Sequence, residues 1–277
     1  MIPSIDLPQS ESINKLNKYP KYEYMVSYYA KRAAEIVREE GIVAFSKQSR
    51  NFINQQFSID QKLFKIHTFK NGLSNRVRYD SPPSPFRPIV VDPQNVEHRH
   101  YKFSTPRNGL GKVKGGNWDA EANLVPTSED KTIAGLRQRF EEQKDWEETI
   151  YFEKFRSKYN GNEERVKERC EYVESLYEDI KNNGYRRAKD GENTRQRSGY
   201  GQKLEVLVVI DRNGKIHHQG KGSHRLAIAK ILQIPVPVQV LVRHEQWQNL
   251  RDEVCNDGLP EDRKELANHA DLKDVLG

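Results

Sequence analysis

The spacing of hydrophobic and polar positions changes several times along the chain, and each change marks an element. From Tyr22 to Glu40 the apolar residues Met25, Val26, Tyr29, Ala33, Ile36 and Val37 recur at steps of three and four. That period predicts an amphipathic helix, with Gly41 placed to cap its C-terminus. A second helical stretch passes through Phe45, Ser49, Phe52, Ile53 and Phe57. Between Asn71 and Gly116 the prolines at 82, 83, 85, 88, 93 and 106 exclude a continuous helix, and one short strand, Ile89 to Val91, is stopped by Asp92-Pro93. A glycine-containing loop, KVKGGNWDAEAN, surrounds Trp118 and Asp119. Helical signals return from Ser128 through Leu136, Phe140 and Trp146. A long charged helix then runs from about Glu163 to Asn182, with Gly184 as its cap.

The last third reads most clearly. Leu204 to Ile210 is a β-branched apolar run of the kind a strand buried on both faces needs. Asp211-Arg212-Asn213-Gly214 predicts a tight turn, and Lys215 to Gln219 the paired strand. A glycine loop, Gly220 to Arg225, leads into a helix from Leu226 to Leu232. Val236 to Val242 gives another strand, and Trp247, Leu250 and Val254 place a final amphipathic helix.

Composition narrows the setting. The 277 residues are 35% hydrophobic and 31% charged, with a mean hydropathy of −0.92. The longest unbroken apolar run, Val206 to Ile210, is far short of the ~20 residues a membrane span needs. The opening residues lack the basic-then-apolar pattern of a secretory leader, so a cytoplasmic protein is expected. Cys170 and Cys255, far apart, argue against a disulfide framework or a cysteine zinc site. His217 and His218 alternate faces of one strand, so no metal site is expected. The formal charge of +6 permits anionic ligands without demanding nucleic acid. The two N-terminal helices are basic and aromatic enough to lie on a membrane, but such stripes commonly pack on a neighbouring domain, and peripheral membrane contact is not expected.

The chemistry concentrates in the loop Gly220-Lys221-Gly222-Ser223-His224-Arg225. The first amides of a helix have no intrahelical partner and the helix dipole favours negative charge there. Gly220 and Gly222 remove side chains so that a phosphate can approach the backbone. Ser223, His224 and Arg225 add donors in the first turn. The same residues also suit an ordinary strand-to-helix turn, with Ser223 a plain N-cap and His224 on the surface.

The run IDRNGKIHHQGKGSHRLAIAKILQIPVPVQVLVRH resembles the ParB/sulfiredoxin fold, whose mark is a hairpin, a G-x-x-R or G-C-H-R sequence at a helix start, and a following strand. Gly222-Ser223-His224-Arg225 is similar to the sulfiredoxin G-C-H-R, with Ser223 where that family carries its catalytic cysteine. PIVVDPQNV and LYEDIKNNGY resemble the first strand and a helix of ParB domains. The resemblance implies an α/β (α+β) fold with a small mixed sheet and packed helices. On this reading, residues 1–65 are an N-terminal helical arm and residues 66–277 the domain, its core at about 85–97 and 163–250 and an insertion at about 98–162. Ser223 in place of cysteine argues against sulfinic acid repair. Only about one helix follows Val254, which disfavours a partition protein with a helix-turn-helix.

What the resemblance implies for function is phosphate binding at that helix start. The expected ligand is ATP, ADP or CTP with Mg²⁺, from which phosphate would be transferred to a small or exposed hydroxyl. Gly222, Ser223, His224 and Arg225 would hold the phosphates, with Arg195 and Arg197 closing over them. Glu97 and Asp119 are the candidates for the carboxylate that orients the acceptor. Two alternatives remain: a ParB-like DNA-binding protein or nuclease, and a nucleotide-binding protein without catalysis.

Overall fold

The computed structural model describes residues 38, 42, 59–100, 103–186 and 204–276. The chain divides into two compact units, residues 1–59 and 60–277, and the architecture below is that of the second. Apart from Arg38, the first sequence-predicted helix lies outside the described residues, and the second lies wholly outside them.

The fold is mixed α/β, as the sequence predicts. Among the described residues its sheet has seven strands: β1 (Pro88–Val91), β2 (His98–His100), β3 (Lys112–Lys114), β4 (Leu124–Pro126), β5 (Val206–Ile210), β6 (Ile216–His218) and β7 (Val236–His244). They lie in the order β1-β7-β5-β6-β2-β4, with β3 also paired to β7. The long β7 serves as the spine. It pairs antiparallel with β1 through Val236–Gln239 and parallel with β5, and its last three residues run parallel to β3. Every residue of β5 and β7 is buried, which is why β5 reads as an unbroken apolar run and β7 as a valine-rich one that also buries Gln239, Arg243 and His244.

Seven helices accompany the sheet among the described residues: α1 (Ile59–Arg78), α2 (Thr105–Asn108), α3 (Lys131–Phe140), α4 (Ile150–Lys158), α5 (Glu163–Asn183), α6 (Ser223–Leu232) and α7 (Glu245–Asp257). The main core joins Val206, Val208 and Ile210 of β5 to Leu226–Ala229 of α6, Leu136 of α3, Tyr151 and Phe155 of α4, and Val173 of α5. Residues 98–162, expected as an insertion, are therefore part of the fold. β2 and β4 extend the sheet, and α3 and α4 supply core side chains. A helix was expected from Ser128 through Trp146. The chain instead leaves α3 at Phe140, passes through a short 3₁₀ turn at Trp146–Glu148, and starts α4, with Thr149 accepting from the Phe152 N–H. At Gly135 of α3 a Cβ would lie 2.5 Å from the Tyr151 Cβ, so the absent side chain lets the start of α4 close on α3. No helix among the described residues is long and apolar enough to cross a membrane.

Candidate functional site

Strand β6 ends at His218 and α6 begins at Ser223. The residue before the helix, Gly222, has φ +84°, and a Cβ there would stand 2.9 Å from the Val206 Cα. Glycine is therefore required by handedness and by the floor beneath the loop. No side chain caps α6. The expectation of Ser223 as a plain N-cap is corrected, because Gly222 holds that position and the Ser223 hydroxyl donates to the Gly220 carbonyl (3.2 Å). The first intrahelical bond runs from the Leu226 N–H to the Gly222 carbonyl (3.0 Å), so the amides ahead of it point out of the helix end.

Under the loop, the Lys221 carbonyl accepts from the Leu207 N–H (3.1 Å) and lies 3.1 Å from His218 Nε2. His218 is fully buried, and that burial pulls its pKa down to about 4. The ring is neutral at pH 7, its Nε2–H serving the carbonyl.

The side chains of the motif part company. Arg225 turns back to the start of β5, donating to the Leu204 carbonyl (2.6 Å) and to Glu205 (3.2 Å). His224 turns toward α4 and α5. Its Nε2 lies 2.9 Å from the Tyr151 hydroxyl and 3.2 Å from Arg169 Nη2, and Arg169 Nε donates to the same hydroxyl (3.2 Å). Burial pushes the Tyr151 phenol up, so it stays neutral beside the guanidinium.

Around this point basic groups gather that sequence reasoning did not select. Arg169, Lys154 and Lys158 stand 5.4, 5.8 and 5.3 Å from the centre of the Phe155 ring, and the His224 ring centre is 6.4 Å from it. On the other side, a Cβ on Gly220 would lie 2.7 Å from an Arg99 guanidinium nitrogen, so Arg99 lies against the loop. Asp130 ties the two sides together. Its carboxylate accepts from Arg99 (2.7 Å) and from the Thr132 N–H at the start of α3 (2.8 Å), and lies 3.8 Å from Lys154 Nζ. Lys154 also donates to the Thr132 hydroxyl (2.6 Å). Burial lowers the Lys154 pKa, Asp130 pulls it back up, and Arg99, Lys158 and Lys131 each lower it further. The result is a cationic cup around the mouth of α6. Tyr151, Lys154, Phe155 and Lys158 share one face of α4 at steps of three, four and seven, a signal the sequence did carry.

The structure does not bring the two candidate carboxylates to this cup. Glu97 is exposed and lines an open cavity of about 670 Å³ with Arg137 and Lys230. Lys230 lies seven residues along α6 from Ser223, about 10 Å at the helical rise. Asp119 lies at the other end of β5. It receives a two-pronged ion pair from Arg212 (2.8 and 2.7 Å), with the Arg212 N–H adding a third bond (3.1 Å). Burial alone would raise the Asp119 pKa, but Arg212 and the nearby His244 bring it down to about 2. Gly222 packs on Val206, and Arg212 lies two residues beyond Ile210, so at least roughly 13 Å of strand separates the two places. Arg195 and Arg197 lie outside the described residues.

The donors suit phosphate oxygens. Among the described residues there is no group of three or more His, Cys, Asp or Glu side chains that could hold a metal ion. Comparison with known proteins finds no matching family model, no matching curated protein and no matching solved structure.

Proposed function

We propose that this chain binds a nucleoside di- or triphosphate by its phosphates at the mouth of α6, as a ParB/sulfiredoxin-like protein. The observation that carries the reading is the convergence of Arg99, Lys154, Lys158 and Arg169 on a helix start with no side-chain cap. The helix amides and dipole alone make a weak anion site; four cationic side chains add the charge that a polyphosphate needs. Mg²⁺ would arrive on the nucleotide as part of the substrate. The order hairpin, glycine loop, helix and strand supports the same family reading.

Transfer of phosphate to a hydroxyl is the reaction such a cup would serve. The bridging P–O bond breaks with its electron pair leaving on the shortened nucleotide, the acceptor O–P bond forms, and the acceptor proton is released to solvent. Asp130 is the carboxylate in contact with the cup, in place of Glu97 or Asp119, and its bonds to Arg99 and Thr132 suit it to orienting the cations. Phosphate binding is thus the part of the reading with direct geometric support.

A thermal-shift panel of ATP, ADP, CTP and GTP with Mg²⁺ tests it. A nucleotide at about 100 times its Kd stabilises the fold by about 2.7 kcal/mol. The double substitution Lys154→Gln, Lys158→Gln removes two charges without opening the core, and is expected to abolish that shift while leaving the ligand-free Tm near wild type. If no nucleotide shifts the wild type, or the double variant shifts equally, the reading fails. DNA binding that collapses steeply with salt, without any nucleotide shift, would favour the nucleic-acid alternative.

A further inference from the structure

Helix α1 is built inside out. Its inner face docks through polar side chains. Thr68 accepts from the Leu110 N–H (3.0 Å), Asn71 donates to the Asn108 and Leu110 carbonyls (2.7 and 2.9 Å), and Asn75 donates to the Gly111 carbonyl (2.7 Å). Phe64 is the large apolar residue buried on that side. The opposite face carries Leu63, Ile66, Phe69, Leu73 and Val77 at steps of three and four, and these are 37, 60, 68, 50 and 87% exposed. An apolar stripe over most of a 20-residue helix, turned away from the sheet and helices described above, is a surface available for docking.

We infer that this face of α1 docks on an anionic lipid surface. The charges select the occupant. Lys62, Lys65, Lys70 and Arg76 are exposed and interleave with or flank the stripe, and the helix carries five Lys or Arg residues against one acid, Asp60. Apolar residues framed by cations are the composition of helices that lie in the headgroup region, where the stripe enters the acyl boundary and the cations meet anionic headgroups. A second copy of the chain fits less well. A face about 30 Å long and about 10 Å wide on each partner gives about 600 Å² in total, half of what a stable interface needs, and would set two positive helices against each other. A lipid surface needs no shape complementarity and turns the same charges to advantage. The α1 face is independent of the phosphate cup, so either can fail alone.

Co-sedimentation of the full chain with phosphatidylcholine vesicles, with and without ~30% phosphatidylserine, tests the inference. Wild type is expected to bind the anionic vesicles at least about tenfold more tightly than the neutral ones and to be released by high salt. The exposed double substitution Phe69→Ser, Leu73→Ser should retain the wild-type melting curve and lose vesicle binding. Wild type remaining in the supernatant with both vesicles would overturn the inference. So would a double variant that binds as well as wild type, or one that turns a wild-type dimer into a monomer on a sizing column, because the stripe would then belong to a second copy.

Discussion

Replacing Asp271 by alanine is expected to cost about 3–5 kcal/mol. Asp271 is fully buried and accepts from both nitrogens of the Arg243 fork (2.9 and 2.6 Å) and from the Trp247 indole (3.0 Å), with Arg251 3.9 Å away. Burial would raise its pKa, but the two arginines hold it below the usual carboxylate range. Without the carboxylate, Arg243, 3% exposed on β7, is left as a buried charge without its two-pronged partner. The check is the urea midpoint at pH 7. A double substitution, Asp271→Leu with Arg243→Met, should recover most of the loss, because removing both charges leaves neither to be buried alone. If Asp271→Ala unfolds at the wild-type midpoint, the tail from 261 to 276 is not the clasp on β7 and α7 that it forms here.

The second large effect is acid sensitivity from His218. Its pKa is about 4 in the fold against 6.5 for the free group, so the unfolded chain takes up the proton first. Stability from this residue is complete above pH 6.5 and falls as the pH drops, by about 2 kcal/mol at pH 5 and about 3 kcal/mol at pH 4. His269, also lowered by burial, acts in the same direction. Asp119 and Asp271 are lowered carboxylates and lose their contribution only below about pH 3.8, so the two windows separate. Denaturation midpoints from pH 7 to 4 should decline in wild type and flatten in His218→Gln. An equally steep decline in the variant would place the titrating group elsewhere. The consequence reaches the site, because His218 holds the Lys221 carbonyl beneath the glycine loop.

The C-terminal third is legible because burial on both faces writes itself as the apolar run of β5 and the alternate valines of β7, while glycine marks where α5 stops and α6 starts. Residues 98–162 were less so. Strands β2, β3 and β4 have three residues each, too few for a period of two to register. Helix α1 is hidden in the sequence because polar Thr68, Asn71 and Asn75 face inward, against the rule that the apolar stripe marks the core. The site was half visible. A local motif could show the glycines and the helix start, but Arg99, Lys154 and Arg169 come from three separate elements that only the folded chain places around them. Asp119 stood out for its glycine-rich loop, and its ion pair with Arg212, 93 residues away, was invisible in one dimension. The tail after Val254 gave no hint that Asp271 and Leu272 are fully buried.

The central claim is that phosphates seat at the mouth of α6, and backbone amide NMR of the full chain titrated with ATP tests it most directly. The amides of Ser223 and Arg225 should move downfield as they take up phosphate oxygens, together with Gly220 and Gly222, and inorganic triphosphate should reproduce the pattern. Saturating ATP that leaves those four signals in place, or moves only signals around Glu97, Arg137 and Lys230, would contradict it.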